Sequence, residues 1–268
     1  MAESKNSGAW DLVIIGGGCA GFGGAIYAAR FQLKTIVLAK QRGGTITTTH
    51  LVENYPGFVR LSGLELAKNL EDHVKSYNVP IKDEEAEEIS RKNGLFAVKT
   101  GEGEYLAKTI LIATGTGHRK LNVPGEKEFE NKGVSYCATC DAPLFRGKTV
   151  AVVGGSDSAA KEALLLSEYA KKVYLIYRGK QIHPEPINAL RVSQNKKIEI
   201  IANTNVLEVK GSKLLEKAVL DKPYNGKNEL ELQGLFVEIG ADPISAIAKG
   251  IGVKTNPKGE IIIDRNSS

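Results

Sequence analysis

Two stretches of the sequence repeat one pattern, and this repeat limits the possible folds more than any other feature. In each copy, a short apolar run (residues 12–15 and 149–153) leads into a glycine-rich turn and then into an alanine-rich segment with high helix propensity. A second apolar run (residues 35–39 and 173–177) completes each copy. Strand, turn, helix and strand in this order form a βαβ unit, whose parallel strands need helices to cover them. The sequence therefore predicts an α/β fold with two nucleotide-binding domains.

The first glycine-rich turn has the spacing that binds the pyrophosphate of a dinucleotide. Gly16 permits a tight bend, Gly18 lets the backbone approach the phosphates, and Gly21 lets the helix pack closely on the strand. Free N–H groups at the start of the helix attract phosphate. The alternative is a tight turn without a ligand. The carboxylate that usually binds the adenosine ribose after the second strand is replaced by the basic Lys40.

The second glycine-rich turn keeps only part of this spacing. Gly154 and Ala159 fit the pattern, but Ser156 stands where a glycine would allow close approach of a pyrophosphate. A Cβ at that position crowds the phosphate or moves it outward. We predict a second nucleotide site here; the alternative is a degenerate repeat that is retained for packing.

Between the two turns lies the pentapeptide Cys137-Ala-Thr-Cys140-Asp141, which holds two of the three cysteines of the chain. Two cysteines at this spacing form a small, reducible disulfide, and a thiolate is the nucleophile in disulfide exchange. Asp141 is placed to give a proton to a leaving thiolate or to accept one. The Asp141-Ala-Pro sequence also predicts the start of a short helix. A redox role is the main interpretation.

The alternative to a redox disulfide is half of a zinc site. Such a site needs two further ligands, but the third cysteine, Cys19, lies in the first glycine-rich turn, and the four histidines show no paired spacing. We therefore predict no metal site. Cys19 is expected to be a small buried filler.

Charge and apolar content argue against nucleic-acid binding, a membrane span and secretion. The net charge of +5 comes from scattered basic residues, with no basic stripe of the kind that binds nucleic acid. No apolar run approaches the roughly 20 residues of a membrane span, and the polar N-terminus lacks a secretory apolar region. We expect a cytoplasmic protein that binds neither membranes nor nucleic acid. A disulfide in that compartment is more often catalytic than structural.

The rest of the sequence indicates further elements. A helix is predicted around residues 64–74, and a hairpin is predicted at Asn225-Gly226. A turn at residues 122–125 predicts a domain boundary. Strands are predicted at residues 95–99, 104–106, 109–113, 215–220, 229–232, 235–239 and 260–263.

These motifs together resemble the low-molecular-weight thioredoxin reductases of the pyridine nucleotide–disulfide oxidoreductase class. The resemblance spans residues 11–264 and rests on five stretches in the family's order: residues 16–30, 51–58, 112–115, 137–141 and 154–159. It implies an α/β fold with two Rossmann-like, three-layer ββα domains, the second inserted in the first. It also implies a homodimer. The domains would be residues 1–120 and 244–268 for FAD, and residues 121–243 for NAD(P)H and the disulfide.

The resemblance also implies roles for individual residues. Cys140 would face the flavin, Cys137 would attack the disulfide of thioredoxin, and Asp141 would donate the proton. Asn54 matches the asparagine of the family that contacts the flavin. The implied FAD-binding residues are Gly16, Gly18, Cys19, Ala20, Gly21, Lys40, Gly43, Gly44, Thr45, Asn54, Thr114 and Gly115. The implied nicotinamide-binding residues are Gly154, Ser156, Asp157, Ser158, Arg178 and Lys180.

Two departures from the family pattern qualify this interpretation. Where the family has a His-Arg-Arg motif and a further arginine for NADPH, this chain has Tyr177, Arg178, Gly179 and, further on, His183. Because paired guanidinium contacts favour a 2′-phosphate, we predict weak or altered nicotinamide use, with NADH or another donor as an alternative to NADPH. The family also continues into a Gly-Asp segment and a helix, so we expect the sequence to be part of a longer chain.

The main functional hypothesis is a thioredoxin-disulfide reductase that passes electrons from NADPH or NADH through FAD and the Cys137–Cys140 disulfide. A second hypothesis is a reductase of another dithiol partner, such as a glutaredoxin-like protein or a peroxiredoxin system. A third is a non-enzymatic nucleotide-binding or redox-sensing module.

Overall fold

The structure is a computed structural model that describes residues 8–264. The polar N-terminus, up to residue 7, and the last four residues of the predicted segment 244–268 lie outside this range. The described chain forms two compact units. One takes in the residues up to Gly117 and those from Asp242 onward, and the other is His118–Ala241. Within residues 8–264, no helix is both long and apolar enough to cross a membrane.

The first unit is built on a mixed six-stranded sheet. Its strand order is β3-β2-β1-β6-β5-β4, with parallel pairing from β3 to β6 and antiparallel pairing from β6 to β4. The strands are β1 (Trp10–Ile15), β2 (Thr35–Leu38), β3 (Ile81–Lys82), β4 (Ala86–Lys92), β5 (Leu95–Thr100) and β6 (Gly103–Ile112).

One expectation for this sheet is wrong. Residues 104–106 and 109–113 were predicted as separate strands, but Gly103–Ile112 is one continuous strand. Its first half pairs with β5 and its second half pairs with β1, so one long strand joins the antiparallel part of the sheet to the parallel part. The polar residues in the middle of this strand do not break its pairing with the neighbouring strands.

Two helices cover one face of this sheet, α1 (Cys19–Arg30) and α2 (Gly63–Ser76). Successive strand residues point to opposite faces. Ile14 packs with the helices, whereas Val13 packs with the antiparallel strands. The helix α2 begins at a capping box, in which Ser62 and Glu65 exchange hydrogen bonds. A short 3-10 helix, Gly44–Thr48, packs next to α2.

The second unit has a parallel sheet and a separate antiparallel sheet. The strand orders are β11-β10-β9-β15-β8 and β12-β13-β14. The hairpin predicted at Asn225-Gly226 is present, and both residues have positive φ, as a two-residue hairpin turn requires. A pair of short strands lies where the chain passes from one unit to the other: β7 (Thr116–His118) pairs with β16 (Ala241–Pro243). The strands of the second unit are β8 (Val134–Ser135), β9 (Thr149–Val153), β10 (Lys172–Tyr177), β11 (Ile198–Ala202), β12 (Val206–Gly211), β13 (Leu215–Tyr224), β14 (Lys227–Glu231) and β15 (Gly234–Val237).

The parallel sheet of the second unit is buried on both faces. Val150 and Val152 pack against helices, and Ala151 and Val153 pack against the three-stranded sheet. This arrangement forms three layers and confirms the predicted α/β class. The helices of this unit are α3 (Ala138–Asp141), α4 (Asp157–Tyr169) and α5 (Pro186–Gln194).

The returning segment of the first unit contains the short helix α6 (Ala246–Lys249). The strand predicted at residues 260–263 is wrong. Residues 255–263 form a single bridge, between Thr255 and Ile261, and no strand. Ile262 and Ile263 are exposed. Apolar character alone does not form a strand where no neighbouring strand offers a ladder of hydrogen bonds.

Candidate active site

The first glycine-rich turn leaves one glycine facing open space. A Cβ on Gly16 would lie 2.1 Å from the carbonyl oxygen of Ala113, and a Cβ on Gly21 would lie 1.9 Å from that of Gly16. A Cβ on Gly18 would come no closer than 3.7 Å to any atom, the nearest being the carbonyl oxygen of Gly43. Gly16 and Gly21 are therefore needed for packing, whereas Gly18 leaves room for a ligand.

This turn forms one wall of a cavity of about 430 Å³ in the first unit. The helix α1 starts at the cavity, and no side chain caps its first N–H groups. Such a helix start suits a pyrophosphate. Ten of the residues predicted to bind FAD line the cavity: Gly16, Gly18, Cys19, Ala20, Lys40, Gly43, Gly44, Thr45, Thr114 and Gly115. The residues present therefore fit the pyrophosphate of FAD.

Two predicted FAD residues lie outside this lining. Gly21 is buried behind the turn, where it packs α1 on β1. Asn54 is exposed in the loop that follows the 3-10 helix. Cys19 lines the cavity instead of filling the core, and burial raises the pKa of its thiol.

Several cavity residues were not predicted from the sequence. Ile244 and Ile247 come from the returning segment, and the Thr114 hydroxyl donates to the carbonyl oxygen of Ile244 (2.5 Å). Glu84 and Glu85 come from the segment after β3, which is brought close because β3 pairs with β2.

These two glutamates bring carboxylates to the cavity, where β2 is followed by none. Glu85 forms an ion pair with Lys40 (2.7 Å). Glu84 accepts hydrogen bonds from the hydroxyls of Tyr105 (2.8 Å) and Thr100 (2.7 Å). Burial, together with the hydrogen bond to Glu84, raises the pKa of Tyr105 to about 12. A carboxylate fixed in this way can accept from ribose hydroxyls, and a run of three acidic residues after a short strand was the sequence signal for it.

The second glycine-rich turn is closed by the loop between β10 and α5. A Cβ on Gly155 would lie 2.4 Å from the ring of Tyr177. The N–H of His183 donates to the carbonyl oxygen of Gly155 (2.7 Å), and the Tyr177 hydroxyl lies 3.4 Å from His183 Nδ1. The residues that depart from the NADPH motif of the family therefore hold this loop against the turn.

Asp157 anchors the other end of the same loop. Its Oδ1 accepts from the N–H of Glu185 (3.0 Å) and from Asn188 Nδ2 (2.8 Å), and its Oδ2 pairs with Lys161 (2.9 Å). Burial pushes the pKa of Asp157 upward, but the hydrogen bonds from Asn188, Lys161 and Glu185 outweigh it and hold the pKa below its usual range.

The remaining residues predicted at this site surround the turn. Gly154 is needed for packing, since a Cβ would lie 2.1 Å from the carbonyl oxygen of Glu238. Ser156 is the N-cap of α4 but makes no side-chain capping bond, and Ser158, Arg178 and Lys180 are exposed.

The two cysteines of the pentapeptide form a disulfide in the second unit. Cys137 and Cys140 are bonded, with their Cα atoms 5.3 Å apart. Cys137 is half-buried and caps α3, and its Sγ accepts from the N–H of Cys140 (3.1 Å). Cys140 is exposed. A hydrogen bond of this kind favours the thiolate form of Cys137 once the disulfide is opened.

Asp141 is held by a serine that the sequence analysis did not identify. The Ser135 hydroxyl donates to Asp141 Oδ2 (2.6 Å), and Ser135 Oγ accepts from the N–H of Cys137 (3.1 Å). A 3-10 helix, Ala142–Phe145, follows with Asp141 as its N-cap. The short helix predicted to start here is thus present, but the helix start next to the sulfur atoms belongs to α3.

A further carboxyl group lies behind the disulfide. Glu162 on α4 accepts from the N–H of Ala138 (2.9 Å) through Oε1, while its Oε2 is buried and has no hydrogen-bond partner in the described chain. Burial, with a smaller contribution from the charge of Asp141, raises the pKa of Glu162. Burial and the nearby Glu162 raise the pKa of Glu238.

The sequence profile of the pyridine nucleotide-disulphide oxidoreductases matches residues 10–268. The chain belongs to this family. The resemblance found from the motifs is thereby confirmed, and the chain is an FAD-dependent oxidoreductase.

Individual members of the family agree with this assignment. The chain is 37% identical to the thioredoxin reductase of Treponema pallidum over 89% of its length and 78% of the relative's. It is 35% identical to that of Bacillus subtilis over 97% of its length and 82% of the relative's. The solved thioredoxin reductase of T. acidophilum is 37% identical and superposes with a TM-score of 0.91, over 96% of this chain and 85% of that one.

Relatives with other names also match, and an alkyl hydroperoxide reductase component is one example. The chain is 37% identical to a component of the alkyl hydroperoxide reductase of Pseudomonas putida. This match covers 98% of the chain but only 52% of the relative, so the chain spans about half of that protein.

Proposed function

We propose that this protein is a thioredoxin-disulfide reductase, which passes electrons from a nicotinamide donor through FAD and the Cys137–Cys140 disulfide to thioredoxin. The observation that carries this proposal is the closed disulfide beside Asp141, in a chain whose other unit holds a glycine-lined cavity that fits FAD. The identity of at least 35% to two thioredoxin reductases supports it.

The residues of the first unit bind and orient the cofactor. Gly18 and the N–H groups at the start of α1 would hold the pyrophosphate, and Glu84 and Glu85 line the same cavity with carboxylate oxygens that could accept from ribose hydroxyls. When bound, FAD would supply the two-electron chemistry that links the nicotinamide donor to the disulfide. The absence of a side chain on Gly18 keeps the phosphate path open.

The residues of the second unit carry out the exchange of disulfides. After two-electron reduction, the Cys137 thiolate attacks the disulfide of thioredoxin and forms a mixed disulfide, and one thioredoxin sulfur leaves. Asp141 gives this sulfur its proton, from a position fixed by Ser135. The Asp141 carboxylate then takes the proton of the Cys140 thiol, and the Cys140 thiolate attacks the Cys137 sulfur. This step re-forms the internal disulfide, and the second thioredoxin sulfur leaves with the proton returned by Asp141, which releases reduced thioredoxin.

A second candidate partner is supported by the match to an alkyl hydroperoxide reductase component. A glutaredoxin-like protein or a peroxiredoxin system would use the same disulfide chemistry. Relative rates with purified thioredoxin, glutaredoxin and peroxiredoxin distinguish the partners: we expect the highest kcat/KM with thioredoxin. We also propose that the protein is a cytoplasmic homodimer. Sedimentation of the purified protein tests the dimer, and fractionation of cells tests the location.

The proposal is tested by an anaerobic titration of the purified, FAD-reconstituted protein, followed by visible absorbance. We expect a yellow protein that a nicotinamide bleaches and that thioredoxin disulfide re-oxidises. In Cys140→Ser, flavin reduction should persist while thioredoxin turnover falls to background, because no internal disulfide can form. A protein that stays colourless after reconstitution contradicts the proposal and supports a non-enzymatic module, and unchanged turnover in Cys140→Ser contradicts the role of the disulfide.

A further inference from the structure

The buried carboxyl group of Glu162 is hydrogen-bonded directly to the segment that carries the disulfide. Its Oε1 accepts from the N–H of Ala138, the residue after Cys137, and Ala138 is fully buried. This hydrogen bond fixes the start of α3 against α4. Its Oε2 is buried with no partner in the described chain, an arrangement that is costly for an ionised carboxylate and much less so for a neutral carboxylic acid.

The charge of Asp141 raises the pKa of Glu162, the charge of Glu162 raises the pKa of Glu238, and the cations nearby are engaged elsewhere. Asp141 is four residues from Cys137 in the disulfide segment, and Glu238 follows β15 beside the second glycine-rich turn. The cations on α4 and on the elements packed against it are bonded to other groups. Lys161 pairs with Asp157, Lys172 pairs with Glu199, Arg191 donates to Asn188, and Lys197 donates to the carbonyl oxygens of Ser167 and Ala170.

The charge of one carboxylate makes ionisation of the other more costly where both are shielded from water. Burial raises the pKa of Glu162 to about 7 and that of Glu238, together with the charge of Glu162, to about 8. Both groups are therefore partly protonated near neutral pH. A new negative charge in the neighbouring segment would raise the proton affinity of the pair further.

We propose that Glu162 is a positioning residue of the redox step, which fixes the start of the disulfide segment and, with Glu238, takes up a proton when the disulfide is reduced. Two electrons and one proton convert the disulfide into one thiol and one thiolate. The thiolate adds a negative charge near the carboxyl groups, and a second proton from solvent then binds to the Glu162–Glu238 pair. In the enzyme, the electrons come from the donor through FAD, so the proposal rests on the proposed function for their source.

The test uses a chemical dithiol as the reductant, so that neither FAD, a nicotinamide nor thioredoxin takes part. The full chain is equilibrated anaerobically with reduced and oxidised dithiothreitol from pH 6 to pH 9. Free thiols are then alkylated, and the reduced fraction is read from the mass of the peptide that contains Cys137 and Cys140. Because every variant is compared against the same reference couple, the ionisation of dithiothreitol cancels.

The informative variant is Glu162→Gln, whose amide oxygen can still accept from Ala138 but which cannot take up a proton. If reduction of the disulfide takes up one additional proton, its equilibrium constant falls more steeply as the pH rises. The additional fall is up to tenfold for each pH unit. We expect this steeper fall in the wild type between about pH 7 and pH 9 and its loss in Glu162→Gln. The matched control is Glu168→Gln, an exposed glutamate on the same helix, which should follow the wild type.

Two further variants keep the proposal falsifiable if Glu162→Gln folds poorly. Glu238→Gln removes a repelling charge, so the steep region should move to lower pH while the hydrogen bond to Ala138 remains. Glu162→Ala removes that hydrogen bond, and amide hydrogen exchange of residues 138–140 should become faster than in Glu162→Gln.

Parallel pH profiles of the wild type, Glu162→Gln and Glu238→Gln would overturn proton uptake by the pair. A change in Glu168→Gln as large as that in Glu162→Gln would overturn it too, because the effect would then reflect net charge alone. Failure of the protein to reduce thioredoxin would leave these equilibria unchanged, so the two proposals fail separately.

Discussion

At the scale of single residues, the first turn has room for a side chain at position 18 and none at position 21. The Cβ of an alanine at position 18 would lie 3.7 Å from its nearest neighbour, whereas at position 21 it would lie 1.9 Å from a carbonyl oxygen. We expect Gly18→Ala to fold normally but to bind FAD at least about tenfold more weakly, a loss of about 1.4 kcal/mol. Gly21→Ala should lower the free energy of unfolding by about 1–3 kcal/mol through overpacking.

The control for both variants is Gly23→Ala, which lies in the same helix and whose Cβ would meet no atom within 4 Å. This substitution should leave FAD binding unchanged and stabilise the helix by roughly 0.5–1 kcal/mol. FAD affinity is measured by fluorescence quenching, and stability by thermal unfolding of the apoprotein. Wild-type FAD affinity in Gly18→Ala would show that the pyrophosphate does not pass this position.

At the scale of elements, we propose that the loop between β10 and α5 decides which nicotinamide can be used. Its ends are fixed on Gly155 and Asp157, and Arg178 is the one arginine left of the family's NADPH motif. A single guanidinium contact with a 2′-phosphate is worth about 1.5–3 kcal/mol. We therefore expect no more than about a hundredfold preference for NADPH over NADH in stopped-flow reduction of the flavin, with Arg178→Ala slowing the reaction with NADPH only.

The reaction with NADH is the internal control for Arg178→Ala, because NADH lacks the 2′-phosphate. Equal slowing with both donors would assign Arg178 to the fold of the loop. Rapid flavin reduction by NADPH with micromolar affinity, together with a preference over NADH well above a hundredfold, would contradict the expectation of altered donor use.

The elements and residues that could be predicted from the sequence are those defined by local spacing. Gly16, Gly18 and Gly21 are close in the chain, so their roles follow from one turn and the helix after it. Glu84 reaches the cavity only because β3 pairs with β2, and no local pattern encodes that pairing. The prediction of two separate strands within Gly103–Ile112 was wrong for the same reason. Each half of this strand pairs with a different strand, and local spacing does not encode these pairings.

The burial of Glu162 could be predicted from the sequence, but its partners could not. Glu162 lies three residues after Ala159 and four before Leu166, which places it on the apolar face of an amphipathic helix. An acidic residue on that face indicates a buried carboxyl group. Its partners could not be found this way: Ala138 is 24 residues away, and Glu238 lies in another strand region.

At the scale of the whole molecule, carboxyl groups of two kinds make stability depend on pH in opposite directions. Glu71 and Asp83 have pKa values below their usual range: burial opposes the hydrogen bonds from Lys75 and Arg42 at Glu71, and the hydrogen bond from Arg42 dominates at Asp83. Their contribution is present above the unfolded-state pKa, near 4, and is lost as the pH falls through the folded-state values.

Glu162 and Glu238 act in the opposite direction, because their folded-state pKa values, about 7 and about 8, lie above the unfolded-state value. Their contribution is complete below about pH 4, falls as the pH rises from there, and is lost once the pH has passed the folded-state values of about 7 and about 8. We therefore expect the melting temperature to fall between about pH 4 and pH 8, with a smaller fall in Glu238→Gln, which has no second charge to desolvate. Thermal unfolding in a single buffer series measures both slopes. Glu168→Gln, which alters only an exposed charge, should match the wild type, and a Glu238→Gln slope equal to that of the wild type would mean that Glu238 ionises in the folded protein without cost.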